Sequence, residues 1–274
     1  MPYLKTTAAP STDLHYVDLG SGQPVVLIHG WPLSHRMWES QITALTDAGY
    51  RCVAYDRRGF GDSGKPNGGY DYDSFASDLN DLMTQLDVRD AVLVGFSMGG
   101  GEVARYIGRY GTQRIAKAAL LGSVTPFLLK TADNPGGVDQ AVFDGMIEGA
   151  KRDRIAFLEG FFPNFYNYEP NTGVSADLIP FTKWMAWNAS PLGTVQCITA
   201  FGTTDFRADL KKFTVPTLVA HGDADRIVPF EISGKLAHQQ VKGSRLEVIT
   251  GAPHGFAATH AQRLSELLLD FMGS

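Results

Sequence analysis

The chain has 274 residues, 44% hydrophobic and 19% charged, which supplies a sizeable core and excludes global disorder. A net charge of −5 with no basic cluster argues against a surface dedicated to nucleic acid or anionic membrane, and no apolar run approaches the ~18 residues of a membrane span. Two cysteines, Cys52 and Cys197, cannot build a disulfide framework, and Met1-Pro2-Tyr3-Leu4-Lys5 opens no signal-peptide core, so a soluble cytoplasmic protein is expected.

The first residues, with Pro10 and Gly20-Ser21-Gly22 as breakers, predict an antiparallel hairpin feeding a sheet edge. Strands are predicted at Val25–His29, Arg51–Asp56, Ala91–Gly95, Ala116–Leu121, Thr217–His221 and Arg245–Thr250. Several are apolar at consecutive positions, as in a parallel strand covered on both faces. Helical spacing joins Phe75, Leu79, Leu82, Met83 and Leu86, and again Leu264, Leu267, Leu268 and Phe271. This alternation predicts an α/β fold, a mostly parallel twisted sheet flanked by helices. Residues 1–125 and 203–274 would form its core. Residues 126–202 show helical patterns and no strand, and hold twelve of the chain's 30 aromatic residues. They are expected to form a helical cap over the carboxyl ends of the strands, with about a third of those aromatics facing a pocket and the rest in the cap's own core.

Gly95-Phe96-Ser97-Met98-Gly99 forms a G-x-S-x-G between the strand Ala91–Gly95 and a helical pattern through Val103, Tyr106 and Ile107. The pattern alone is weak in a glycine-rich chain, but a strand-to-helix turn exposes a serine hydroxyl above the sheet. A serine needs a base, and His254 lies in a loop after the last predicted strand, whereas His29 and His221 precede glycines and read as turn or packing residues. Gly222-Asp223-Ala224-Asp225 follows the strand Thr217–His221. Asp225 is preferred as the carboxylate that orients the imidazole, with Asp223 the alternative and otherwise a turn or cap residue. An oxyanion hole would take one backbone N–H from Met98. The second donor is assigned to Trp31 in His29-Gly30-Trp31-Pro32, because Pro32 has no N–H and favours an extended residue before it.

These segments, with Asp56-Arg57-Arg58-Gly59-Phe60-Gly61-Asp62-Ser63, His221-Gly222-Asp223-Ala224-Asp225 and Pro253-His254-Gly255, resemble the cofactor-free haloperoxidases of the α/β-hydrolase superfamily. That group includes arylesterases, perhydrolases and a γ-lactamase. The resemblance covers nearly the whole chain. It implies the α/β-hydrolase fold, a Ser97–Asp225–His254 triad, oxyanion donors from Trp31 and Met98, a helical cap, and homo-oligomers that are often trimeric. No haem, flavin or metal is implied, and no cap residue is carried over as catalytic. The implied activity is carboxylic ester hydrolysis through an acyl-enzyme. Hydrogen peroxide would intercept that intermediate to give a peracid, which oxidises halide. Pro32 occupies a position that is proline in stronger perhydrolases. It could hold the Trp31 carbonyl as an acceptor for peroxide, or merely stiffen the loop.

Other readings are open to weaker features. Gly59-Phe60-Gly61-Asp62-Ser63-Gly64 satisfies G-x-G-x-x-G, but Lys65-Pro66-Asn67-Gly68-Gly69 follows where a dinucleotide site requires a helix. Neither C-x-x-C nor H-E-x-x-H occurs. Haloalkane dehalogenases and epoxide hydrolases share the His-Gly-Trp-Pro segment but need aspartate where Ser97 stands. Lactam or amide cleavage on the same triad, and a non-catalytic receptor with a hydrolase fold, are the alternatives to an esterase acting on small apolar or aryl esters.

Overall fold

The computed structural model describes residues 2–169 and 175–274. The elements alternate as β1 (Tyr3–Lys5), β2 (Asp13–Gly20), β3 (Pro24–Ile28), α1 (Glu39–Asp47), β4 (Arg51–Tyr55), α2 (Tyr72–Gln85), β5 (Ala91–Phe96), α3 (Met98–Tyr110) and β6 (Ile115–Leu121). Four helices follow: α4 (Gln140–Arg152), α5 (Arg154–Phe165), α6 (Leu178–Trp187) and α7 (Pro191–Thr203). The chain then returns through α8 (Arg207–Leu210), β7 (Thr217–Gly222), α9 (Gly234–Gln240), β8 (Arg245–Ile249), α10 (Phe256–Thr259) and α11 (Ala261–Gly273).

All eight strands join one sheet in the order β1-β2-β4-β3-β5-β6-β7-β8. The pairs from β4-β3 through β7-β8 are parallel. The first two strands pair antiparallel at the edge, as expected. However, β2 pairs with β4 and not with β3, the strand that follows it in sequence. Successive side chains of a strand point to opposite faces. In β3, Val26 and Ile28 therefore join the core shared with Phe75, Leu79 and Val103, while Val25 and Leu27 join the one shared with Leu45, Leu264 and Leu268. Covering on both faces explains why β5 is buried along its whole length.

Caps and charges fix the helices. The Asp71 carboxylate accepts the Ser74 N–H at 2.9 Å and starts α2. Lys117 Nζ, rising from β6, donates to the carbonyls of Phe271 and Met272, placing a cation at the negative end of α11. Among the described residues between β6 and β7, the extended pairings are limited to two isolated bridges, Leu129–Val138 and Thr131–Asn134. Hydrogen bonds tether this helical segment to loops of the sheet, among them Gly255 N–H to Phe165 O (2.8 Å), the Asn167 amide to Ala224 O (2.7 Å), and Ser190 N–H to Gly59 O (2.6 Å).

Candidate active site

Ser97 stands between β5 and α3 with φ 54° and ψ −117°, a backbone region sparsely used by residues with a side chain. The surroundings impose this turn. A side-chain carbon on Gly99 would lie 2.3 Å from the Ile28 carbonyl oxygen, and one on Gly95 would lie 2.4 Å from the Gly99 oxygen. Both glycines of the motif are thus required by close backbone approach.

Ser97 Oγ donates to His254 Nε2 at 2.9 Å, and His254 Nδ1 donates to Asp225 Oδ2 at 2.6 Å. The imidazole is buried between the rings of Phe96 and Phe165, at centroid distances of 5.1 and 5.0 Å. Asp225 is held by three hydrogen-bond donors. Its Oδ1 accepts the N–H groups of Ile227 and Val228, each at 2.8 Å. Its Oδ2 faces His254 and also His221 Nε2, at 3.2 Å. Burial alone would raise the Asp225 pKa, but the two adjacent imidazoles, His254 foremost, outweigh it and hold the carboxyl well below the usual range. A carboxylate so held fixes the proton on Nδ1 and leaves Nε2 to accept from serine. Asp223 lies elsewhere: its Oδ1 accepts the Gly251 N–H at 2.6 Å, tying the β7 and β8 loops together.

The backbone N–H groups of Trp31 and Met98 have no hydrogen-bond partner among the described residues. Leu33 N–H donates to Gly30 O at 3.0 Å, closing a turn in which the Trp31–Pro32 peptide is cis, the type VI arrangement. Nothing in the sequence pattern anticipates that isomer. The loop is braced from below. His29 Nδ1 donates to Gly30 O at 2.8 Å while Nε2 accepts the Arg57 N–H at 2.9 Å. Burial first, and the adjacent Arg57 charge second, lower the His29 pKa to about 3, so this ring is neutral. Arg57 also donates to His29 O and to the buried Glu102, which in turn accepts from Tyr55.

Trp31, Ser97 and His254 open on a cavity of about 170 Å³. Its walls include Val124, Phe143, Phe161, Phe201 and Ile227, with Arg226 as the charged member. Three of the twelve aromatics in the helical segment thus line this cavity. Phe165, Tyr166 and Phe181 line a second one behind Phe96. The Trp31 ring packs against Phe161 and Phe201, and its Nε1 donates to Thr194 O at 3.0 Å.

Sequence reasoning misses His221, Arg226 and Glu102. In sequence His221 reads as a turn or packing residue, yet its Nε2 donates to Val228 O at 2.8 Å beside Asp225. No local pattern marks such residues, because their partners are distant in sequence. For metals, His15, His35 and Asp56 are the described residues whose ligating atoms come within reach of one another. The 2.8 Å between His35 Nδ1 and Asp56 Oδ1 is a hydrogen bond, shorter than the ~3.3 Å edge that zinc–nitrogen distances give a tetrahedral site. The G-x-G-x-x-G segment folds around the same carboxylate, with Asp62 N–H on Asp56 Oδ2 at 2.9 Å.

The family profile described as the alpha/beta hydrolase fold matches residues 23–261. The chain belongs to the α/β-hydrolase family. It superposes on the crystal structure of a bromoperoxidase from Bacillus anthracis with a TM-score of 0.95, at 49% identity over the whole of both chains. It is 43% identical to a non-haem chloroperoxidase of Kitasatospora aureofaciens, over 97% of this chain and 98% of that one. It is 38% identical to a bifunctional esterase/perhydrolase of Acinetobacter calcoaceticus, over 98% and 99%. The motif resemblance and these whole-chain matches point to the same group.

Proposed function

We propose that this α/β hydrolase is a serine ester hydrolase whose acyl-enzyme is open to both water and hydrogen peroxide. The observation that carries the reading is the hydrogen-bonded line Ser97–His254–Asp225 ending at an apolar cavity. Ser97 Oγ bonds to the ester carbonyl carbon as His254 Nε2 takes its proton. The N–H groups of Trp31 and Met98 receive the oxyanion, and His254 returns the proton to the departing alcohol. Water then cleaves the acyl-serine to a carboxylic acid, whereas peroxide cleaves it to a peracid. The peracid gives one oxygen to halide in solution, forming hypohalite and the parent acid. The relatives named above, a chloroperoxidase and an esterase/perhydrolase, support both branches.

Residues 126–202 serve as the cap, and they supply the aromatic wall of the cavity. Homo-oligomers, trimeric by resemblance, would use the apolar cap side chains left exposed, among them Ile155, Trp184 and Leu192. No helix among the described residues is long and apolar enough to cross a membrane, and both cysteines are buried and unpaired, which suits a reducing compartment. Pre-steady-state hydrolysis of a phenyl or naphthyl ester tests the function. A burst of alcohol lost in Ser97→Ala is expected. Ligand binding without turnover would instead make the protein a receptor.

A further inference from the structure

In the cavity onto which Ser97 opens, apolar walls are interrupted by one guanidinium. Arg226 directly follows the acid of the triad, and its backbone is fixed by that acid, since Asp225 Oδ1 accepts the N–H groups of the next two residues, Ile227 and Val228, in the same tight turn. Most arginines of this acidic chain are neutralised: Arg57 by Glu102, Arg58 by Asp78, Arg105 by Asp73 and Asp209, Arg207 by Asp133 and Asp205. Arg226 is exposed and, among the described residues, forms no ion pair or hydrogen bond. Its donors are therefore free at the edge of the substrate space.

We propose that Arg226 is an anion subsite that selects esters whose acyl chain ends in a carboxylate, the half-esters of aliphatic dicarboxylic acids. This inference rests on the esterase reading above. The acyl group remains bonded to Ser97 through both half-reactions, so the space in front of the serine must accommodate it. An aliphatic chain suits Phe143, Phe161 and Ile227, and a terminal carboxylate suits a guanidinium, which binds it through two parallel hydrogen bonds. The chemistry at Ser97 is unchanged: the acyl–oxygen bond to the alcohol breaks, the alcohol leaves with the proton from His254, and water releases the dicarboxylate. The guanidinium contributes to binding and orientation, so its effect belongs mainly in KM.

The test compares kcat/KM for paired 4-nitrophenyl esters that differ in the terminal charge: monoglutarate against pentanoate, and monoadipate against hexanoate. In the wild type the anionic-to-neutral ratio should be highest at the chain length that reaches Arg226, and should fall as salt is added. Arg226→Gln should lower that ratio about 5-fold, the scale of a solvent-exposed charge-assisted pair, and Arg226→Lys should restore part of it. Arg152→Gln makes the same charge change at another exposed arginine, outside the serine cavity, and should leave the ratio unmoved. An unchanged ratio in Arg226→Gln, or an equal fall in Arg152→Gln, would overturn the subsite while leaving the esterase reading intact. Failure to turn over either member of a pair would overturn both.

Discussion

Single substitutions separate the reacting groups from their neighbours. Ser97→Ala or His254→Ala should each lower kcat by on the order of 10⁶, and Asp225→Asn by ~10⁴, with folding little changed. Asp223→Asn should be mild, because that carboxylate meets a loop N–H and not the imidazole; a crippled Asp223→Asn beside a mild Asp225→Asn would reverse the assignment. At the oxyanion loop, Pro32→Leu should lower the perhydrolysis-to-hydrolysis ratio while ester hydrolysis persists, and an equal loss of both rates would make Pro32 scaffold. His29 has a distinct pH signature. Its folded pKa, about 3, lies below the ordinary value of 6.5, so the unfolded chain binds the extra proton as pH falls between the two. Acidification from pH 6.5 to 5 should therefore cost about 1.5 kcal/mol of stability through this residue. Denaturant unfolding across that range should show a shallower loss in His29→Gln, and identical slopes would contradict a neutral buried imidazole.

At the scale of elements, the six predicted parallel strands match the observed ones within one residue at each end. Most are legible because a strand buried on both faces must be apolar at consecutive positions, as in β5 and β7, which are buried throughout. The candidate serine, histidine and acid are legible because each follows a strand and carries its own turn residues. The placement of β2 beside β4 is not, since an edge strand carries no mark of its neighbour. Nor are His221 and Arg226, whose meaning comes from a carboxylate or cavity formed in three dimensions. The role of a glycine likewise depends on the surroundings that the fold supplies, as one substitution at two sites shows. Gly99→Ala puts a carbon against backbone oxygens at 2.3 and 2.9 Å and should destabilise by about 3 kcal/mol, displacing the serine turn and lowering kcat. Gly145→Ala, on the exposed face of α4 with nothing within 4 Å, should stabilise by about 0.5–1 kcal/mol. Chemical denaturation of the two variants measures both signs.

For the whole molecule, loops of the sheet carry the proposed triad, and the helical segment lines the cavity in front of it. The two parts meet at the loops of the proposed triad: Phe165 O receives the Gly255 N–H beside His254, and Asn167 donates to Ala224 O beside Asp225. This arrangement makes the acyl-enzyme the common intermediate of every proposed activity. Halide oxidation should accordingly survive exhaustive chelation, and should require both hydrogen peroxide and a carboxylic acid or ester. Halogenation without any acyl donor would mean a different oxidant. The most direct test is mass spectrometry of protein quenched during turnover of an aryl acetate. One acetyl group should appear on the peptide carrying Ser97, be absent from Ser97→Ala, and be discharged by peroxide with matching release of peracetic acid. An acetyl group on another residue, or peracid formed with no acetyl-serine on its path, would contradict the account.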